Sequence, residues 1–371
     1  MLSEVIESID FASIDETSIE TFLLGSLTCA EQVWRARGGE TRYFTFGPVC
    51  LEVRFVNGLM QDIVCPMLQH SEISEEKCAS DRAVVYVVVS DQLDVAAPPD
   101  HWKFPEETKE DYQRVCWKPE AGLAMSSDDS NGLWHIFDLV KQSGLYWVRS
   151  VDGLPGWEYG SPLRHFIHWA SLSHNCCMLH GAGIGRDGRG VLLAGPGGSG
   201  KSTMTAAAIS SGWQVTGDDF VLTAEQEKFG TVSHPIFDIM KLTGMAEEKF
   251  AHHVSKAINP NRNTDEKALI PVSLCAGDNF VRQLPVQAIL SMRLSHADKS
   301  EIVPLSKIAT VGALAPSTMN ILRTGMKETF RDCGALARRL PCFEFRVGKD
   351  PLEGLEVLHQ FLEQDDKWSL Q

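Results

Sequence analysis

The chain has 371 residues, 43% of them hydrophobic and 22% charged, with a formal net charge of -15 at pH 7. That length allows two domains with a core each, and the composition excludes a disordered or fibrous chain. The acidic balance repels polyanions, so nucleic acid and anionic membrane are excluded as main partners in the absence of a local basic stripe, and only short basic pairs such as Arg338-Arg339 occur.

The first residues are acidic from Glu4 and lack the basic and apolar regions of a signal peptide. The longest strongly apolar run, Val84–Val89, has strand length, well short of a membrane span. A cytoplasmic location is expected. Ten scattered cysteines form no CxxC pair and read as reduced and buried. Cys176-Cys177, between His174 and His180, invite a metal reading, but adjacent strand residues point to opposite faces and chelate one ion poorly.

Residues 43–55 are rich in aromatic and branched residues and predict two strands joined at Gly47-Pro48. Ala83–Ser90 predicts a buried strand. Residues 91–132, with Pro98-Pro99 and a Ser/Asp/Asn/Gly run, read as loop. Leu145–Ser150 predicts another strand. Residues 1–155 thus form an α+β N-terminal domain, with the boundary in the Pro- and Gly-rich stretch Val151–Pro162 and a second domain over 156–371. Leu163–Ser173 has apolar residues at helical spacing and is expected to open that second domain. Cys176–Ile184 reads as one strand and Asp187-Gly188 as a hairpin turn, because both positions tolerate positive φ. Val191–Ala194 is a buried strand.

That strand runs into Gly195-Pro196-Gly197-Gly198-Ser199-Gly200-Lys201-Ser202-Thr203, a full match to G-x-x-x-x-G-K-[ST]. Glycines let successive N–H groups turn inward as an anion nest, and the N-terminus of the helix that follows adds partial positive charge. Lys201 can reach the outer phosphates of a nucleoside triphosphate, and the Ser202 hydroxyl can hold Mg2+. The cofactors expected are therefore ATP and Mg2+. The helix should stop at Gly212. Trp213–Thr216 then predicts a short strand beside the loop's own strand, ending at Asp218-Asp219. One carboxylate there can serve the metal and the other can accept a proton from an incoming hydroxyl; a solvated turn is the plain alternative. His180 lies on the strand expected to form a hairpin with the loop's strand, where a lone histidine is either a satisfied core residue or functional.

The run from His180-Gly181 through the glycine loop to Gly217-Asp218-Asp219 resembles the catalytic domain of bacterial HPr kinase/phosphorylase and its relatives, whose fold is similar to phosphoenolpyruvate carboxykinase. The resemblance implies an α/β fold: a P-loop kinase domain of that type, preceded by a smaller α+β domain. It implies that His180 is an active-site histidine, Gly195–Ser202 the ATP loop, Lys201 the phosphate lysine, Ser202 a Mg2+ ligand and Asp219 the base for an acceptor serine. Leu314–Thr318, Ala337–Pro341 and Gly348–Pro351 resemble serine-kinase-like relatives, some of which sit with peptide-modification systems. The family's Leu-Glu-Ile-Arg-Gly stretch, whose glutamate binds metal, is absent. Its nearest equivalent is Pro235–Leu242, where Asp238 would replace the glutamate. The segment tied to dephosphorylation and HPr recognition is not recognisable.

The function expected is ATP- and Mg2+-dependent phosphoryl transfer to a serine-type hydroxyl of a peptide or protein, with catalytic residues Asp219, His180, Lys201 and Asp218 and metal ligands Ser202, Asp218 and Asp238. A nucleotide-dependent switch that binds a peptide or protein partner, and a kinase for a small metabolite, stay open. The resemblance also hints at a homo-oligomer. His252-His253 and Asn259–Asn263 read as a polar loop, solvated or serving as a lid. Arg338-Arg339 read as the basic end of a helix starting near Lys327, and Leu352–Leu362 as a packed final helix.

Overall fold

The computed structural model describes residues 16–90, 113–128, 130–263, 265–295 and 297–364. Two compact units emerge. The first holds the described residues up to Ala170 apart from the segments 46–48 and 66–71; those segments and the residues from Ser171 onward make the second.

In the first unit the elements run α1 (Glu16–Arg37), β1 (Glu40–Phe46), β2 (Val49–Phe55), α2 (Gln61–Leu68), β3 (Glu72–Ile73), β4 (Ala83–Val89), β5 (Gln113–Lys118), β6 (Leu123–Asp128), β7 (Leu133–Asp138), β8 (Ser143–Val148), α3 (Gly156–Gly160) and α4 (Arg164–Ser171). Eight strands form one mixed sheet in the order β3-β1-β2-β4-β8-β7-β6-β5. β2, β4 and β8 are parallel, and β5 to β8 form an antiparallel meander. Alternation sorts the side chains: Met125, Trp134, Ile136 and Leu145 pack with Leu23, Leu27 and Ala30 of α1. Phe137 and Tyr146 instead meet Phe166 and Trp169 of α4, with ring centroids 5.8 Å (Phe137–Trp169) and 6.1 Å (Tyr146–Phe166) apart.

Two expectations need correction here. The hairpin β5–β6 occupies part of the stretch read as loop; residues 91–112 lie outside the described residues. The misleading polar run has a definite use. Asp128 Oδ1 accepts from the Asn131 backbone amide (3.2 Å) and Oδ2 from the Asn131 side-chain amide (2.8 Å) to close the β6–β7 turn, while the Ser126 backbone carbonyl meets His135 Nδ1 (3.2 Å). The helix expected to open the second domain belongs to the first unit, because its aromatic face covers that unit's sheet. The boundary falls after Ala170 and not at residue 155.

The second unit continues with β9 (Cys176–Leu179), β10 (Ala182–Arg186), β11 (Arg189–Ala194), α5 (Lys201–Ser210), β12 (Gln214–Gly217), β13 (Val221–Gln226), β14 (Gly230–Pro235) and β15 (Met240–Leu242). It ends with α6 (Met245–Lys249), α7 (Ala251–Val254), β16 (Ala268–Ile270), α8 (Val272–Ala276), β17 (Leu284–Leu294), β18 (Glu301–Pro304), α9 (Lys307–Leu322), α10 (Met326–Arg339), β19 (Cys342–Val347) and α11 (Pro351–Glu363). The main sheet follows β12-β10-β11-β17-β14-β13-β9, with β19 joined to β17 and β18 to β19. Along β11, Val191 and Leu193 enter a core with α5 and α11, while Leu192 and Ala194 enter another with α9 and α10. Helices thus cover both faces of a mixed sheet.

The stretch Cys176–Ile184 is two strands. β9 pairs with β13, whereas β10 pairs with β11 and β12. The chain crosses from one side of the sheet to the other at His180-Gly181. His252 and His253 lie on the short helix α7, where His253 is buried, and Asn259 is tied to the Lys267 carbonyl (2.9 Å) and the Leu269 amide (2.8 Å). The loop reading fails for His252-His253, which are helical, and holds for residues 259–263, which form neither helix nor strand. No helix among the described residues is long and apolar enough to cross a membrane.

Candidate functional site at the glycine loop

Residues 195–200 join the end of β11 to the first turn of α5. Gly195 has φ 143°, Gly198 φ 78° and Gly200 φ 96°, conformations that residues with a Cβ seldom adopt. A Cβ on Gly195 would also lie 2.9 Å from Ser199 Oγ. The crest Pro196–Gly198 is exposed and Gly195 is buried. α5 has no side-chain cap at Gly200, so its first amides are left for another acceptor. Lys201 folds back over the loop, and its Nζ donates to the carbonyls of Gly195 (2.8 Å) and Pro196 (3.1 Å). Burial lowers its pKa, against the pull of Asp218 and Asp219.

The aspartate pair follows β12. That strand is not directly beside β11, as the sequence reading had it; β10 lies between and is antiparallel to both. β11 and β12 are therefore parallel to each other, and their C-terminal ends share one edge of the sheet. Asp218 is buried. Its Oδ2 accepts from the Lys241 amide (3.1 Å), and its Oδ1 finds no donor in hydrogen-bond geometry among the described residues. Burial raises its pKa, and the Ser202 and Thr205 hydroxyls lie near enough to oppose that rise. Ser202, at the helix start, and Asp218 thus face each other.

Asp219 has different neighbours. Its Oδ2 accepts from Lys241 Nζ at 2.6 Å, and its Oδ1 lies 3.6 Å from His180 Nε2. Burial pushes the carboxyl up, but the Lys241 ammonium and the His180 ring outweigh it and hold the group well below the usual carboxylate range. His180 sits at the break between β9 and β10. Its amide donates to Thr318 Oγ1 (2.9 Å), its ring packs on Phe220 with centroids 5.6 Å apart, and Nδ1 is buried with no hydrogen-bond partner among the described residues.

Asp238 is otherwise engaged. Its Oδ1 accepts from the Ser273 amide (2.7 Å) and its Oδ2 from the Ser273 hydroxyl, at the start of α8. Burial raises its pKa against those bonds. Cys176 and Cys177 are buried on β9, and a contact with Cys333, followed by burial, pushes the Cys177 thiol well up. Among the described residues no three His, Cys, Asp or Glu side chains form a metal-binding group.

His180, the loop, Asp218 and Asp219 therefore lie on connected elements around one sheet edge. Two contributors escaped sequence reasoning. Lys241 falls within Pro235–Leu242, the stretch weighed for Asp238 alone, and its position three residues after Asp238 was the one available cue. Thr318 lies in a helix remote in sequence, and nothing local marks it as a partner of His180.

A family model described as SynChlorMet cassette protein ScmC matches residues 163–259. That stretch contains His180, the whole glycine loop, both aspartates, Asp238 and Lys241. No curated protein matches the chain. Similar solved structures include the Hpr(Ser) kinase/phosphatase from Coxiella burnetii, 15% identical, with 52% of this chain and 94% of that chain covered and a TM-score of 0.31.

Proposed function

We propose that the chain is an ATP- and Mg2+-dependent phosphotransferase that moves the γ-phosphoryl group to a serine-type hydroxyl on a peptide or protein in the cytoplasm. The observation that carries this reading is the placement of Ser202, at the start of the loop's helix, against the buried Asp218 carboxylate, with Asp219 next in the chain. The P-loop pattern and the uncapped first turn of α5 support phosphate binding at residues 195–203.

A divalent cation fits the chemistry of the donors. Asp218 Oδ1 is buried and finds no hydrogen-bond donor among the described residues, and a hydroxyl lies near the same carboxylate. Mg2+ commonly takes one or two carboxylates together with substrate phosphates. Ser202 and Asp218 would hold it, and Asp238 would join only by giving up Ser273. Bound there, the ion would neutralise charge on the outer phosphates.

Lys201 leaves the loop carbonyls for the phosphates as the nucleotide enters. Asp219, held ionised by Lys241 and His180, is a weak base but a strong hydrogen-bond acceptor. Phosphoryl transfer through a loose transition state does not demand early removal of the hydroxyl proton. Asp219 therefore aims the acceptor hydroxyl and takes its proton late, with His180 positioning the carboxylate. The match to a cassette protein fits an acceptor made by a neighbouring gene.

The test uses the full chain, labelled ATP, Mg2+ and a panel of serine-containing peptides, proteins and small hydroxyl metabolites. Label should reach a peptide or protein serine, and Asp219→Asn should remove transfer while nucleotide binding persists. Nucleotide binding with no transfer to any acceptor, and with partner capture unchanged in Asp219→Asn, would favour the switch and reject the kinase.

A further inference from the structure

Lys241 touches both members of the aspartate pair. Its amide donates to Asp218 Oδ2 at 3.1 Å and its ammonium to Asp219 Oδ2 at 2.6 Å. The two contacts differ in kind. The amide is fixed by β15, which pairs with β16 in the register Lys241↔Leu269. The ammonium sits on a flexible four-carbon stem with three donors. The side chains of Lys241, Asp219 and His180 are 16%, 13% and 15% exposed, so none is sealed into the core.

A triphosphate seated on the loop brings several negative charges toward Asp218 and Asp219. Lys201 approaches it from the loop side. On the aspartate side Lys241 is the ammonium already in contact, and its tether is the same strand that orients Asp218. Lys and Arg clamps on a transferring phosphoryl group are a recurrent means of stabilising the charge that spreads over it.

Resting on the phosphotransferase reading, we propose that Lys241 contacts the terminal phosphoryl group, turning its ammonium from Asp219 to that group when the triphosphate binds. The turn opens Oδ2 of Asp219 to the acceptor hydroxyl. In the step that follows, the bond between the γ-phosphorus and the bridging oxygen breaks, and its electron pair stays on the diphosphate. The acceptor oxygen forms the new bond to phosphorus and its proton passes to Asp219. The Lys241 side chain thus reports on whether a third phosphate is present, and a diphosphate leaves it on Asp219.

Nucleotide binding without any acceptor tests this. Affinities for ADP and for the non-hydrolysable triphosphate AMP-PNP, both with Mg2+, are measured by calorimetry on the full chain. Lys241→Met should weaken AMP-PNP by about 10- to 100-fold, the size of a lost charge-assisted bond, with ADP changed by less than about 2-fold. Lys241→Arg should keep most of the preference for AMP-PNP. Because Lys241→Met takes the ammonium away from the partly buried Asp219 carboxylate, Asp219→Asn and Asp219→Asn/Lys241→Met are compared in the same way. A fall of similar size between those two supports the contact. Equal losses for ADP and AMP-PNP, or no loss for either, overturn it.

The two readings fail separately. A wild-type chain that shows the Lys241-dependent preference but never transfers label removes the kinase and keeps the contact. One that transfers label while Lys241→Met keeps its preference removes the contact alone. A chain that binds neither nucleotide removes both.

Discussion

His180 and Thr318, 138 residues apart in sequence, meet through a hydrogen bond from the His180 amide to the Thr318 hydroxyl oxygen (2.9 Å). The same hydroxyl donates to the Leu314 carbonyl (3.2 Å) within α9. His180 lies where the chain leaves β9 and crosses to β10, outside either ladder, so its amide needs a partner from elsewhere. Thr318 is fully buried. Thr318→Val keeps the shape and removes the acceptor, which should cost about 1–3 kcal/mol for an unsatisfied buried amide. We expect that loss in urea denaturation and a matching fall in transfer rate as the His180 ring drifts from Asp219. Thr318→Ser should restore both. Unchanged stability in Thr318→Val would show that the amide finds another partner.

What could be read from the sequence was local. The glycine loop, the helix after it, its stop at Gly212 (φ 72°) and the Asp187-Gly188 turn (φ 52° and 74°) all rest on short-range rules of backbone conformation. The long-range partners were not legible. Thr318 and Lys241 reach the site through pairings that no spacing in the sequence encodes. The helix Arg164–Ser171 was visible from its apolar period, but an apolar face does not say which sheet it will cover. Ser126, Ser127 and Asp128 read as loop because polar residues favour turns, yet all three are buried in β6. β12 was expected beside β11 because that place would bring its terminal acids to the phosphate site; the antiparallel β10 fills that place instead.

Lys201 sits on the carbonyls of Gly195 and Pro196. It serves the loop before any phosphate arrives and is expected to serve the phosphates afterwards. Lys201→Ala should weaken ATP binding by about 10- to 100-fold or more, the loss of one or two charge-assisted bonds. Lys201→Arg should not rescue it, because the planar guanidinium cannot follow the ammonium's path over the loop. Calorimetry with Mg-ATP decides the matter, and wild-type affinity in Lys201→Ala would mean that the nucleotide binds elsewhere.

Gly200 combines φ 96° with a close neighbour, since a Cβ there would lie 2.8 Å from Leu294 Cδ2. Leu294 is 56% exposed, so its side chain can swing aside. The steric part of Gly200→Ala should therefore be small and the backbone part should dominate, at about 1–2 kcal/mol for a left-handed conformation. Gly200→Ala and Gly200→Ala/Leu294→Ala should then show the same loss of stability and the same loss of ATP affinity. Recovery in the double variant would place the cost in the Leu294 contact.

The buried histidines make stability depend on pH in a definite direction. His135 is fully buried in the first unit, stacked on Tyr146 with centroids 4.6 Å apart, and burial lowers its pKa to about 4, against the opposing pull of Glu158. His70 in the second unit is lowered to about 4 by the same cause. An unfolded histidine takes up its proton near pH ~6.5. Between that pH and about 4 the unfolded chain holds protons that the folded chain refuses. Stability from these groups is therefore complete above the unfolded pKa and is lost as pH falls through the window. Each pH unit costs roughly 1.4 kcal/mol per histidine, so a drop from about pH 6.5 to 5 should remove about 2 kcal/mol for each. Urea midpoints across that range should fall steadily, and His135→Gln should flatten the slope for the first unit. Midpoints that hold level or rise between pH 6.5 and 5 would mean that these rings accept their protons in the folded state.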